Sequence, residues 1–225
     1  MLQFTVHGKT AKPVGAAFDN LIVAGWTGRD VTALEHHIQE LAALGVPRPS
    51  SVPVFYRASV SLLTQTCRLQ VLGDDTSGEV EPVLFGLPDG MYLGVGSDHT
   101  DRKAEAMGVA LSKQLCGKVV SEELWRFDDV AAHWDRLVIR SFATINGQRL
   151  LYQEGALAGM RTPSDLLSLY DGSAALKANT AMFCGTVAAI GGIRPASRFE
   201  MELQDPVMGR ALKHGYEIVA LPVVR

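Results

Sequence analysis

The sequence predicts a β-rich α+β fold, and three observations carry that prediction. From about residue 52 onward, most of the chain consists of short apolar or alternating runs separated by turn residues. Helical spacing is confined to a few stretches, of which the clearest runs from Val31 to Leu44. No repeat, linker or low-complexity tract divides the chain, so residues 1–225 read as one domain with the first helix on its rim.

The elements follow in order. Residues 2–7 alternate as a strand, and Gly8-Lys9 can turn the chain back into a second one. Leu21 to Ala24 reads as a short buried strand. Asp30 can cap the first helix, and Thr32 with Glu35 resembles a capping box. Val31, Leu34, Ile38, Leu41 and Leu44 recur at helical spacing until Gly45 and Pro47 end the run. Short strands occupy Val52 to about Val95. Asp101 to Leu115 is helical in composition, and Phe127 to Trp134 suits a helical turn. Leu137 to Ile145, the turn Asn146-Gly147 and Arg149 to Tyr152 form a hairpin. Ser164 to Tyr170 follows Thr162-Pro163 as a short helix, and strands return from Ala181.

Bulk properties narrow the function. Of 225 residues, 47% are hydrophobic and 20% charged, which suits a globular protein that needs no structural metal or disulfide to fold. The net charge of −3, without any Lys/Arg run, argues against nucleic-acid binding. Cys67, Cys116 and Cys184 are odd in number and far apart, so they suggest neither a disulfide framework nor a zinc knuckle. No apolar stretch approaches the roughly 20 residues that span a bilayer, and the N-terminus has no signal-peptide pattern. The expectation is a soluble, reduced, cytoplasmic protein.

The strongest local chemistry lies in Gly78-Glu79-Val80-Glu81-Pro82-Val83. Residues two apart on a strand share a face, so Glu79 and Glu81 project together. Leu87-Pro88-Asp89-Gly90 supplies a turn, and antiparallel counting about it returns Asp98 to within about one position of Glu79. Converging carboxylates must be protonated, kept apart by solvent or neutralised by a cation. An all-oxygen set favours Mg²⁺, Mn²⁺ or Ca²⁺ over zinc. The same spacing also fits an exposed strand face with two solvated glutamates.

On the first helix, His37 falls inside the apolar arc and His36 outside it. Glu40, three residues on, flanks the same face and can meet His37, as the partner of a general base does. A half-buried histidine with a surface ion-pair partner fits that spacing equally. His7, His99, His133 and His214 carry no spacing signal.

The order of motifs resembles the fumarylacetoacetate hydrolase superfamily. His37-Ile-Gln-Glu40, then Gly45-Val-Pro-Arg-Pro and Val52-Pro-Val-Phe-Tyr, is similar to that family's lid helix and the proline-rich connection after it. Glu79-Val80-Glu81 resembles its Glu-x-Glu strand, and Asp98-His99-Thr100-Asp101-Arg102 its Asp-x-Thr-x-Arg segment. Ser112-Lys113 with Cys116, Asn146-Gly147 through Gln153-Glu154-Gly155, and Cys184-Gly185-Thr186 with Gly191-Gly192 complete the series. More narrowly, Ala24-Gly-Trp-Thr-Gly-Arg-Asp and Gly96-Ser-Asp-His-Thr-Asp-Arg resemble a bacterial branch known as a domain of unknown function. Trp26-Thr27 replaces the usual Asn-Tyr, and Val187 stands where proline is usual.

The resemblance implies a mixed β-sandwich roll with a lid helix and a homodimeric assembly. It implies Mg²⁺, with Mn²⁺ or Ca²⁺ as alternatives, on Glu79, Glu81 and Asp98. The implied activity is hydrolysis of a C–C bond in a small 2-oxo or β-diketo acid, through a metal-stabilised enolate. In that scheme His37, oriented by Glu40, activates water, Lys113 stabilises an oxyanion or holds a carboxylate, and Thr186 and Arg102 bind substrate. Decarboxylation, dehydration or isomerisation on the same site are alternatives, as is a non-catalytic organic-acid binder.

Overall fold

A computed structural model describes residues 1–8, 10–43 and 48–224, apart from the side chains at 33, 37, 40, 41 and 43. The first third carries β1 (Leu2–His7), β2 (Lys12–Ala16), β3 (Asn20–Gly25), α1 (Val31–Ala43), β4 (Val54–Ala58), β5 (Leu63–Thr64) and β6 (Arg68–Leu72). Then come β7 (Thr76–Ser77), β8 (Val80–Leu87), β9 (Gly90–Asp98), β10 (Thr100–Asp101), α2 (Arg102–Glu105), α3 (Val109–Leu115), β11 (Lys118–Val120) and β12 (Glu123–Arg126). The remainder is β13 (Val138–Ile145), β14 (Gln148–Ala156), α4 (Pro163–Asp171), β15 (Thr180–Phe183), β16 (Arg198–Asp205) and β17 (Arg210–Leu221). No described helix is long and apolar enough to cross a membrane.

The larger sheet runs β2-β1-β12-β9-β8-β15-β3-β4, and β11 joins β9 to β5 off that path. A second sheet runs β14-β13-β16-β17-β6, and β7 pairs with β10 in a small ribbon. Strand β8 is buried along its whole length, and its alternation divides the core. Val80 and Leu84, with Leu93 and Val95 of β9, pack against Phe199, Met201, Leu212 and Tyr216 of the second sheet. Val83 and Phe85 face the other way, into an apolar interior shared with Phe4, Val23, Leu124 and Phe183 from strands of the larger sheet itself. A sheet that buries both faces in this way is curled, and the expected β-rich roll is what forms.

Local sequence explains most elements. The β13–β14 turn places Asn146 and Gly147 at φ 51° and 76°, the paired positive values that a two-residue hairpin turn requires. Thr162 caps α4, with Asp165 closing a reciprocal capping box. At α1 the cap is Asp30, whose carboxylate accepts the Thr32 N–H at 2.9 Å. The predicted Thr32–Glu35 box does not form, because Thr32 already lies inside the helix and Glu35 accepts from Gln39 and Arg48. Val31 also departs from the expected apolar face: it is 65% exposed at the first helical position, while Ile38 is buried. The helical stretch predicted from Asp101 to Leu115 is split into α2 and α3, the second opening at Gly108, the poorest helix former there.

Candidate metal centre

The β8–β9 hairpin sets the geometry. Leu87 pairs with Gly90 across a two-residue loop, and Val80 pairs with Ser97. The count then carries on to Glu79 and Asp98, where the Asp98 N–H donates to the Glu79 carbonyl at 3.0 Å. Glu79 and Glu81 share the parity of Val83 and Phe85, so they face the interior of the curled sheet. Opposite Glu81 lies Gly96, where a Cβ would come within 2.8 Å of Phe183 and Val83. Glycine at that position leaves the crowded face open to the carboxylate.

One oxygen each from Glu79, Glu81 and Asp98 lies within 4.8 Å of the others. Glu81 is 2% exposed and Asp98 wholly buried, which rules out two solvated glutamates on an open strand face. The cations around them are unevenly shared. Glu79 receives Arg102 at 2.9 Å and Lys113 at 3.1 Å; Asp98 receives Lys113 at 2.5 Å and Lys118 at 2.7 Å. Among the described residues no ion pair reaches Glu81, which accepts the Gly185 N–H at 2.7 Å. Gly185 has φ +103°, and a Cβ there would lie 1.8 Å from Thr27 Oγ1, so only glycine brings this donor in.

The titration behaviour follows from that division. Burial alone would raise the Glu79 carboxyl, but Lys113 and Arg102 hold it at about 2. Burial, together with repulsion from Asp98 and Glu79, pushes Glu81 well above the usual carboxylate range. A buried acid repelled by two others, in an all-oxygen set, is the environment that a hard divalent cation relieves. The residues present therefore fit such an ion.

The other predicted site residues are placed as follows. Lys113, on α3, is buried and also donates to Thr100 Oγ1 at 3.2 Å. Arg102 is bound to Glu79 and Glu105, with its Nε donating to Ser77 Oγ. Thr186 has its hydroxyl engaged on both sides, donating to the Val80 carbonyl at 2.7 Å and accepting from Gln153 Nε2 at 2.8 Å. His37 and Glu40 lie on α1, but their side chains fall outside the described residues. His36 is exposed, as its place on the helix predicts.

Four further residues organise the centre without having been singled out as site residues by spacing. Lys118 stands directly across from Asp98 in the β9–β11 pairing and is fully buried. Gln153 accepts the Val80 N–H and the Ser141 hydroxyl, while donating to Thr186 and the Val187 carbonyl. His99 lies between Tyr216 Oη and Thr76 Oγ1, and Tyr216 in turn meets Ser97 Oγ. Burial, with the charges of Lys118 and Arg102, lowers the His99 imidazole to about 3, so it stays neutral. A lone lysine opening the apolar run Lys118-Val-Val was the one legible signal among these.

Comparison with solved structures finds the same architecture at low identity. Yeast ynq8, a fumarylacetoacetate hydrolase family protein, aligns with TM-score 0.63 and 16% identity over 92% of this chain and 95% of its own. The 5-carboxymethyl-2-hydroxymuconate delta-isomerase of Mycobacterium smegmatis aligns with TM-score 0.60 and 14% identity, over 94% and 81%. A 2-keto-3-deoxy-D-arabinonate dehydratase, solved with magnesium and 2,5-dioxopentanoate, aligns with TM-score 0.61 and 13% identity, over 91% and 74%. No curated protein matches the sequence. A family model described as "Protein of unknown function (DUF2848)" matches residues 24–216. The chain thus belongs to the DUF2848 family of proteins of unknown function, and its fold is that of the fumarylacetoacetate hydrolase family.

Proposed function

We propose that this protein is a divalent-metal-dependent enzyme, with Mg²⁺ on Glu79, Glu81 and Asp98, that hydrolyses a C–C bond in a small 2-oxo or β-diketo acid. The observation that carries the reading is the buried convergence of the three carboxylates, with Glu81 lacking a cation among the described residues. The similar dehydratase solved with magnesium and a dioxo acid supports the choice of ion and substrate class. A bound cation would supply Lewis-acid polarisation of the oxo-acid group.

The chain's own residues divide the remaining work. Lys113 presents an ammonium beside the carboxylates for a substrate oxygen that gains charge. Arg102 keeps Glu79 ionised and adds positive charge toward a substrate carboxylate. With the Thr186 hydroxyl engaged by Val80 and Gln153, the Thr186 contribution falls to its backbone N–H. His37, with Glu40 proposed as its partner, is assigned the proton of the attacking water, and α1 is assigned the role of a lid.

Isomerisation or dehydration is the second reading, favoured by the two similar structures described as a delta-isomerase and a dehydratase. It needs the same carboxylates and no attacking water. Steady-state assays with Mg²⁺ on acylpyruvates, oxaloacetate and sugar-derived 2-oxo acids decide between them. Hydrolysis products from an acylpyruvate, lost in His37→Ala, support the first reading. Turnover of another 2-oxo acid that survives His37→Ala supports the second, and tight binding without product from any substrate contradicts both.

A further inference from the structure

Two lysines hold Asp98, and they are built differently. Lys118 is carried on β11 directly opposite Asp98 and has no exposed surface. Its ammonium has two partners at the end of β9, Asp98 Oδ1 at 2.7 Å and the His99 carbonyl at 2.7 Å. That end is itself fixed, because Thr100 Oγ1 donates to the Asp98 carbonyl and the His99 ring lies between Thr76 and Tyr216. Lys113 comes instead from the seven-residue helix α3 and keeps 9% of its side chain exposed. It divides its ammonium among Asp98 Oδ2, Glu79 Oε2 and Thr100 Oγ1.

The carboxylate oxygens lie within 4.8 Å of one another, whereas ligand oxygens on opposite sides of a Mg²⁺ ion are about 4.2 Å apart. A small contraction therefore closes the set on an ion, but Lys113 Nζ already lies against two of its three members. Mg²⁺ needs oxygens at about 2.0–2.1 Å, a spacing that leaves no room for an ammonium between the same carboxylates.

We propose that Lys118 is the fixed positioning charge of this centre and Lys113 its exchangeable one. Lys118 holds Asp98 Oδ1 so that Oδ2 is the oxygen presented to a divalent cation, and the cation enters by displacing Lys113. This rests on the metal reading above, and it makes the two lysines opposite in effect. Removing Lys113 removes a competitor, so affinity for the ion rises. Removing Lys118 frees Asp98 to turn both oxygens toward Lys113, so affinity falls even though the centre has become more negative. A purely electrostatic role for both predicts tighter binding in each case.

The test titrates Mg²⁺ and Mn²⁺ into wild type, Lys113→Met and Lys118→Met by calorimetry. The expected result is tighter binding in Lys113→Met and binding weakened about tenfold or more in Lys118→Met. Affinity shifting in the same direction in both variants overturns the proposal and leaves the metal reading intact. A wild type that binds neither ion overturns both. Lysine acylation of the wild type, read by mass spectrometry, keeps the proposal falsifiable if Lys118→Met does not fold. Saturating Mg²⁺ should speed labelling of Lys113 and leave Lys118 unlabelled, whereas equal protection of the two with and without the ion contradicts exchange.

Discussion

Asp98 and Asp205 are both wholly buried, yet their surroundings differ in kind. Asp205 sits at the β16–β17 turn, where its Oδ1 accepts the Val207 and Met208 N–H groups and meets His133 Nε2 at 3.0 Å. Its Oδ2 accepts from Arg210 Nε at 3.1 Å, and the Arg210 guanidinium covers the Trp125 ring. Every donor there has one use, which is to fasten the turn. Asp98 is held by two ammonium groups, Lys113 at 2.5 Å and Lys118 at 2.7 Å, and two more carboxylates crowd it. The first arrangement spends a buried charge on stability. The second crowds three carboxylates together inside the protein and leaves Glu81 without an ion pair among the described residues, a cost that a bound cation offsets.

That difference is open to direct attack. The largest effect on stability is expected at the turn. Asp205→Ala strips partners from two backbone N–H groups, His133 and Arg210, and should cost about 3 kcal/mol in chemical denaturation. Metal affinity should stay at the wild-type value. A loss of metal affinity in Asp205→Ala would show that the two regions are not independent. At the centre the sign should reverse. Glu81→Gln removes one of three crowded charges and should stabilise the metal-free protein by about 1 kcal/mol while weakening metal binding. A destabilised Glu81→Gln would mean that Glu81 belongs with Asp205 as a structural carboxylate.

The smallest effect concerns acid. Burial opposes ionisation of Asp205, but the Met208 N–H, His133 and Arg210 bring its folded pKa below the ordinary 3.8. A depressed carboxyl contributes its stability fully above pH 3.8 and loses it as pH falls through the lower folded value. Denaturation midpoints measured from pH 5 to pH 2 should therefore drop less steeply in Asp205→Asn than in wild type. Parallel curves would remove Asp205 from the acid limb.

How much of this the sequence showed depends on whether the cause was local. The Asn146-Gly147 turn, the short helix after Thr162-Pro163 and the Pro88-Asp89 loop depend on neighbouring residues, and each formed as read. The convergence of Glu79, Glu81 and Asp98 was legible for the same reason, since one hairpin counts all three into place. Lys118 carried only the signal of its place at the head of an apolar run, and spacing did not mark Gln153 as a site residue. Their roles come from β11 pairing with β9, and from a side chain of β14 reaching β8, contacts between segments that no spacing rule relates. Val31 misled because apolar period assigns a face, while the depth of each turn against the body depends on the helix's docking angle. Arg102 and Lys113 were found through the resemblance, and their division between Glu79 and Asp98 needed three dimensions.

Calorimetric titration of Mg²⁺ and Mn²⁺ into wild type, Glu79→Ala and Glu81→Ala tests the metal centre most directly. Saturable binding in the wild type, abolished in both variants while their thermal unfolding remains cooperative, is the predicted result. Unchanged affinity in both variants would contradict a metal site on these carboxylates.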